Sequence, residues 1–383
     1  MTDPLSAKFT FLNEADRLKS VERANWLTNR SRPENAAEHS WHVALAMMVM
    51  AEHAEPGVDL DSALRMALLH DLVEIDAGDH PIHLPHDPAA VALAEAQGAD
   101  RLYGLLPHTG PHLRAQWEEF ETARTATARY AKAIDHLSSV WLALASVPRD
   151  SEEMAICTDN LRDGRVSRSA QHVPDLLEVT RAWADNRQVT PRLRQSLAFL
   201  GEVDKLKCEL RASRLIDGSR HENSAEHSWH IALYALVLGD QAADGVAIAR
   251  VIQMLILHDI VEIDAGDAPI HGDHDPVALE AAERAAADRL FGLLPTDIAT
   301  QFRTLWEEFE AAETPDSIFA KSIDRVQPVL GNLANGGGSW VDYDVTFAQL
   351  DARVGTKIAR GAPAIWAHVK DLCLTWFVEH GRI

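Results

Sequence analysis

Cysteine is scarce in this 383-residue chain, and the three present, Cys157, Cys208 and Cys373, lie far apart with no CxxC pair. Such spacing excludes a disulfide framework or a zinc knuckle and reads as free thiols in a reducing compartment. Long apolar runs are missing as well: no stretch approaches the ~18 uninterrupted apolar residues that a membrane span requires. Cations are in short supply, 36 Lys and Arg against 58 Asp and Glu, and the formal net charge of −22 repels nucleic-acid backbones and anionic membrane surfaces. No nucleic acid and no membrane are expected as partners. A small anionic substrate is compatible where local cations or a bound metal reverse the field inside one pocket. The opening Met1-Thr2-Asp3-Pro4 has no basic region followed by an apolar run, so the expected location is cytoplasmic.

What is present is ordinary globular composition, 46% hydrophobic and 25% charged residues, at a length that suits two domains of ~100–200 residues. Self-comparison then organises the chain. Glu34-Asn35-Ala36-Ala37-Glu38-His39-Ser40-Trp41-His42 recurs as Glu222-Asn223-Ser224-Ala225-Glu226-His227-Ser228-Trp229-His230. His70-Asp71-Leu72-Val73-Glu74-Ile75-Asp76-Ala77-Gly78-Asp79 recurs from His258 to Asp267 with one change, at the same offset of 188 residues. Ala131-Lys132-Ala133-Ile134-Asp135 matches Ala320-Lys321-Ser322-Ile323-Asp324, one residue further on. This is a tandem duplication, with expected domains at 1–190 and 191–383. Beyond Asp135 and Asp324 the copies diverge: the first continues as His136-Leu137-Ser138-Ser139, whereas the second reaches Gly336-Gly337-Gly338-Ser339-Trp340 and a long amphipathic tail.

Apolar residues recur at three-to-four spacing in 43–50 and 64–72, alanine is abundant, and extended β-branched alternation is absent, which predicts an all-α bundle. Asp61 and Ser62 mark an expected helix start, and Gly78 with Pro81 and Gly266 with Pro269 mark expected helix ends. His39 and His227 are expected near the opening of a helix. An adjacent imidazole and carboxylate at the end of an apolar run, as in His70-Asp71 and His258-Asp259, must be paired, solvated or ligating if that helix faces the core. With Asp135 or Asp324, each copy offers two histidines and two aspartates from three helices, a mixed N/O set suited to a divalent metal with positions open to water.

The order His, then His-Asp, then a distant Asp resembles the HD superfamily of metal-dependent phosphohydrolases, and within it the 5'-deoxynucleotidase-like branch. The resemblance rests on Glu-Asn-x-Ala-Glu-His-Ser-Trp-His, His-Asp-x-Val-Glu-Ile-Asp-Ala-Gly-Asp and Ala-Lys-x-Ile-Asp. It implies two tandem HD-domain bundles, packed as an internal pseudo-dimer in a chain that could itself be monomeric. It implies one divalent metal per domain (Mn, Co, Mg, Fe, Ni or Zn), held by His39, His70, Asp71 and Asp135 and by His227, His258, Asp259 and Asp324. The implied reaction is hydrolysis of nucleoside or deoxynucleoside 5'-monophosphates, with a phosphodiesterase or a non-hydrolytic nucleotide sensor as alternatives.

Glu74 lies four residues after His70 and three after Asp71, so on one helix it projects from the ligand face. The resemblance assigns it and Glu262 to handling the reaction's proton; the alternative is a carboxylate that orients a ligand histidine. Asp79 and Asp267 resemble the family's sugar-contacting acid, or are plain turn residues. Arg17 and Lys205 are expected to face the phosphate, with Lys132 and Lys321 as weaker candidates. Trp41 and Trp229 read as core, and His83, His86, His271 and His274 as loop residues. Glu38 precedes His39, which rules out the HExxH order of zinc proteases. The second copy, with the full pattern and the glycine segment, is expected to be the active one. That segment reads either as a turn or as a loop able to close over substrate.

Overall fold

The helix that carries His39 starts where it does because of its cap. In the computed structural model, which describes residues 4–81, 84–148 and 151–383, Asn35 caps helix Ala36–Val49. Its side chain accepts from the Glu38 amide at 2.9 Å, and Glu38 accepts in return from the Asn35 amide at 2.8 Å. The second copy repeats this reciprocal box at Asn223 and Glu226 ahead of helix Ser224–Leu238. Such a cap is worth about 1 kcal/mol and fixes the first turn, on which the ligand histidine sits. Arg32 and Arg220 clamp the capping glutamates with closest approaches of 2.6 Å.

The chain forms two compact units: Leu18–Lys207 with Arg289–Thr300, here the N-terminal unit, and Met1–Arg17 with Cys208–Asp288 and Gln301–Ile383, the C-terminal unit. Helix Pro4–Ala15 therefore belongs with the second copy and helix Pro191–Val203 with the first. In the N-terminal unit, helices Ala36–Val49, Leu60–Leu69 and Ala126–Ser146 pack on one another around Trp41, Leu45, Leu68 and Ile134, all fully buried. In the C-terminal unit, helices Ser224–Leu238, Ile248–Leu257 and Pro315–Ala334 do the same around Trp229, Leu233, Leu255 and Ile323. Trp41 and Trp229 are core residues, as expected. No helix among the described residues is long and apolar enough to cross a membrane.

Helices dominate both units, but each also carries a two-stranded antiparallel hairpin that the periodicity did not reveal: Glu22–Trp26 with Pro33–Asn35, and Leu210–Arg214 with His221–Asn223. Strands of three to five residues are too short to display an alternating pattern. Their turns pass through the left-handed region at Arg30 (φ 60°) and Gly218 (φ 71°), where only the second copy has the residue that adopts it without penalty. Asp204 accepts from the Thr28 amide at 2.7 Å and Asp16 from the Ile216 amide at 2.8 Å, so an aspartate following each opening helix secures the hairpin turn of its unit.

The helix expected to start at Asp61 and Ser62 begins slightly earlier, at Leu60, because Asp59 is the cap and accepts from both the Asp61 amide and the Ser62 hydroxyl. His70 ends helix Leu60–Leu69 as its C-cap, and Glu74 opens a separate short helix, Glu74–Ala77. His70 and Glu74 therefore do not share one continuous helix; the turn between them turns Glu74 toward the ligands by another route. The glycine segment of the second copy is a packed turn: a Cβ on Gly337 would lie 2.2 Å from the Trp376 ring, and one on Gly338 2.3 Å from Asn332 Oδ1. It leads into helix Gly338–Asp342 and seats Trp340 in the core.

Candidate metal centres

Each unit gathers its four expected ligands from two helices and the turn that follows a third. In the N-terminal unit, His39 Nε2 lies 2.9 Å from Asp135 Oδ1, and His70 Nε2 lies 3.1 Å from Asp71 Oδ1 and 3.8 Å from Asp135 Oδ1. In the C-terminal unit, His227 Nε2 is 3.2 Å from Asp324 Oδ1, and His258 Nε2 is 2.9 Å from Asp259 Oδ1 and 4.0 Å from Asp324 Oδ1. One ligand atom from each of His39, His70 and Asp71, and likewise of His227, His258 and Asp324, falls within 4.8 Å of the others. All eight residues are buried.

The hydrogen bonds behind the ligands set which nitrogen is free. A carbonyl can only accept, so His70 Nδ1 donates to Ala67 and His258 Nδ1 to Leu255, each at 2.9 Å, and in the neutral imidazole it is Nε2, pointing into the cluster, that carries the lone pair. Both of these Nε2 atoms are buried without a hydrogen-bond partner. His39 Nδ1 faces Glu34 at 3.4 Å and His227 Nδ1 faces Glu222 at 3.2 Å, which turns their Nε2 atoms toward carboxylate oxygens. A lone pair aimed at carboxylates in a dry site is unfavourable unless a cation stands between them. Two imidazoles and two carboxylates so arranged fit a divalent ion of the first transition row or Mg²⁺.

The electrostatics carry the same demand for positive charge. Burial opposes a charged His70, yet Asp71 and Asp135 raise its pKa to about 9. Burial also pushes the Asp71 and Asp135 carboxyls up, but His70 and Arg23 hold Asp71 below its usual range, and the histidines around Asp135 hold that carboxyl well below it. Glu74 goes the other way: burial and repulsion from Asp71 raise it well above the usual range despite Arg23, and burial with Asp259 does the same to Glu262. Burial and like charge thus push these two carboxyls toward the protonated form, while their neighbours are pushed toward the ionised one. Glu262 also accepts from the Ser224 hydroxyl at 2.5 Å.

An arginine that sequence reasoning missed stands at the centre of each arrangement. Arg23 Nη1 is 2.9 Å from Asp71, 3.8 Å from Glu74 and 3.8 Å from Asp79. Arg211 Nη1 is 2.6 Å from Asp259, 3.4 Å from Glu262 and 3.7 Å from Asp267. Both lie on the first strand of their hairpin, whose pairing aims them inward. The available signal was the dipeptide Arg-Ala at 23 and 211, spaced by the same 188 residues as the ligand motifs. Behind His39, Glu34 is held by Lys207 at 2.7 Å, and Lys207 by Asp204 at 2.7 Å; both lysine and glutamate are buried. Behind His227, Glu222 accepts from Gln327 at 3.0 Å.

Asp79 and Asp267 line the cavities beside the clusters, as do Lys132 and Lys321, which are paired with Glu121 and Glu310 at 2.9 Å each. Arg17 and Lys205 are not among the cavity-lining residues; more than half exposed, they pair with Glu14 at 2.5 Å and Glu202 at 2.8 Å. His86, His271 and His274 line cavity walls, and His83 falls outside the described residues.

The chain belongs to the HD-domain family, matched twice, over residues 15–176 and 203–366. A curated relative, the 5'-deoxynucleotidase HDDC2 of Homo sapiens, is 29% identical over 134 residues, 34% of this chain and 63% of that protein, so the match spans less than two thirds of the relative's length. The Xenopus laevis protein of the same name is 31% identical over 142 residues, covering 36% of this chain and 67% of the relative. A solved structure described as a predicted metal-dependent phosphohydrolase, from Magnetospirillum magnetotacticum MS-1, is 45% identical, covers 51% of this chain and 99% of its own, and has a TM-score of 0.48.

Proposed function

We propose that each unit is a metal-dependent phosphomonoesterase acting on nucleoside or deoxynucleoside 5'-monophosphates. The observation that carries this reading is the duplicated set of two imidazoles and two carboxylates brought together in a buried cluster beside a glutamate whose pKa is raised and an arginine. His39, His70, Asp71 and Asp135, and their counterparts His227, His258, Asp259 and Asp324, would hold a divalent cation. Such an ion supplies Lewis acidity to a phosphoryl oxygen and acidity to a water.

The protein's own groups account for the remaining chemistry. Arg23 and Arg211 bring a planar fork of donors that matches non-bridging phosphoryl oxygens and offsets charge as it develops there. We assign the phosphate contact to them in preference to Arg17 and Lys205, which are engaged elsewhere. Glu74 and Glu262 carry the proton that the departing sugar oxygen needs. Asp79 and Asp267 accept from a sugar hydroxyl. The reading follows the activity for which the relatives are named, and the residues behind it stand in both halves, so we extend activity to both units rather than to the second alone. The division at 190/191 marks the duplicated unit of sequence, and the duplication supports an internal pseudo-dimer, for which sedimentation as a single-chain monomer is the expected outcome.

The test is phosphate release from a panel of ribo- and deoxyribonucleoside 5'-monophosphates with Mn²⁺, Co²⁺, Mg²⁺ or chelator. Metal-dependent release supports the reading. No release with any metal, alongside tight nucleotide binding, favours the sensor, and cleavage of diesters alone favours a phosphodiesterase.

A further inference from the structure

The two cavities share their inner ends and differ in their outer walls. The cavity of the N-terminal unit measures about 930 Å³ and that of the C-terminal unit about 300 Å³. In the C-terminal unit the residue after the ligand Asp324 is Arg325, which lines the cavity together with Lys357, while Ser339 and Trp340 close its far side. Burial and the neighbouring cations Arg325 and Lys321 lower the Lys357 pKa, so positive charge is crowded close to the ligands in a small space.

In the N-terminal unit the corresponding residue is His136, and the additional cations come from a different part of the chain. Helices Glu152–Asp163 and Arg165–Ala170 form the outer wall, pinned beside Asp135 where His136 Nδ1 and Ser169 Oγ lie 2.7 Å apart. These helices bring Arg165 and Arg168 to the cavity. Arg165 is exposed and makes no hydrogen bond or ion pair among the described residues, and Arg168 donates only to the Asp163 carbonyl at 2.9 Å. Of the glutamates on this lining, Glu153 is held by Arg30 with two bonds of 3.0 and 2.9 Å and Glu121 by Lys132 at 2.9 Å, while Glu95 feels the charge of Arg165 without forming an ion pair with it. Trp26, 39% exposed, also lines this cavity. Two guanidinium groups that form no ion pair among the described residues, inside a concavity of a chain with net charge −22, are a recognition element for an anion, and their planar fork suits phosphate.

We propose that the N-terminal cavity takes nucleotides bearing a second phosphoryl group, one group at the metal-ligating residues and the other at Arg165 and Arg168, whereas the C-terminal cavity takes a single phosphate. This rests on the nucleotide reading given above and specifies its substrate class. The test is isothermal titration of the full chain carrying Asp259→Ala, with Mn²⁺, using deoxyadenosine 5'-monophosphate, 5'-diphosphate and 3',5'-bisphosphate as probes. At least one doubly phosphorylated probe should bind ten or more times tighter than the monophosphate. Adding Arg165→Ala and Arg168→Ala should bring that ratio to within twofold with an unchanged circular dichroism spectrum, and the Asp71→Ala chain should show no such preference. Equal affinities in the Asp259→Ala chain, or a preference that survives loss of both arginines, overturn the proposal. Phosphate release recorded in parallel separates the two readings: arginine-dependent preference without any release upholds this proposal and sinks the hydrolytic one, while release without preference does the reverse.

Discussion

The inner ends of the two cavities are nearly superimposable in chemistry, and the outer walls are not. His39, Asp71, Glu74, Asp79 and Arg23 each have a counterpart engaged in the same contacts, within a few tenths of an ångström in most cases. Beyond Asp135 and Asp324 the chain builds different helices, different cations and cavities that differ roughly threefold in volume. A duplicated enzyme can drift where a wall only shapes the substrate. It cannot drift where a ligand, its orienting carbonyl and its counter-charge must meet within a few ångströms.

The comparison breaks most visibly at the ligands. Asp71→Ala should lower metal-dependent phosphate release by the N-terminal unit roughly a thousandfold, and Asp259→Ala that of the C-terminal unit equally, given several kcal/mol of charge stabilisation from the metal. Steady-state kinetics on the single and double variants check this; one variant that silences both units would contradict their independence. Next comes the support behind His39. Lys207→Met leaves Glu34 and Asp204 buried without their counter-charge and should destabilise the chain by about 3–5 kcal/mol in urea unfolding. A loss below ~1 kcal/mol would mean the lysine is not the group that holds Glu34 ionised.

Arg23→Ala and Arg211→Ala should each reduce kcat/KM about a hundredfold in their own unit, the scale of removing one donor to a developing oxyanion. An effect confined to one unit would show that the shared inner geometry conceals a functional difference. The smallest effect tests the local frame: Asn35→Ala and Asn223→Ala should each cost about 1 kcal/mol, measured by thermal unfolding, because each removes one half of a reciprocal cap. Unequal losses would indicate that one helix start depends on packing more than on its cap.

The clusters of His and Asp that could hold a metal were legible in the sequence because that chemistry restricts the residue types and because duplication repeated them inside long motifs. Helical content was legible from spacing. Arg23 and Arg211 were not, since they lie on strands too short to show a period and pair with carboxylates some 50 residues away. Glu34 and Glu222 sat inside the repeated motif, but nothing in the order of residues says that a carboxylate five positions before a histidine turns back to meet its Nδ1. The membership of the opening helices was hidden as well. Pro4–Ala15 and Pro191–Val203 read alike in either unit, and only tertiary packing decides which core receives each. Arg17 and Lys205 illustrate the limit of analogy by position: a basic residue stood at the expected place, while the cation beside the ligands came from the hairpin that follows.

The most direct test of two independent metal centres in one chain is a count of bound Mn²⁺ per chain, by isothermal titration with elemental analysis of the dialysed protein. The account predicts two ions in the wild type, one in Asp71→Ala, one in Asp259→Ala and none in the double variant. A single ion in the wild type, or two ions retained in the double variant, would contradict it.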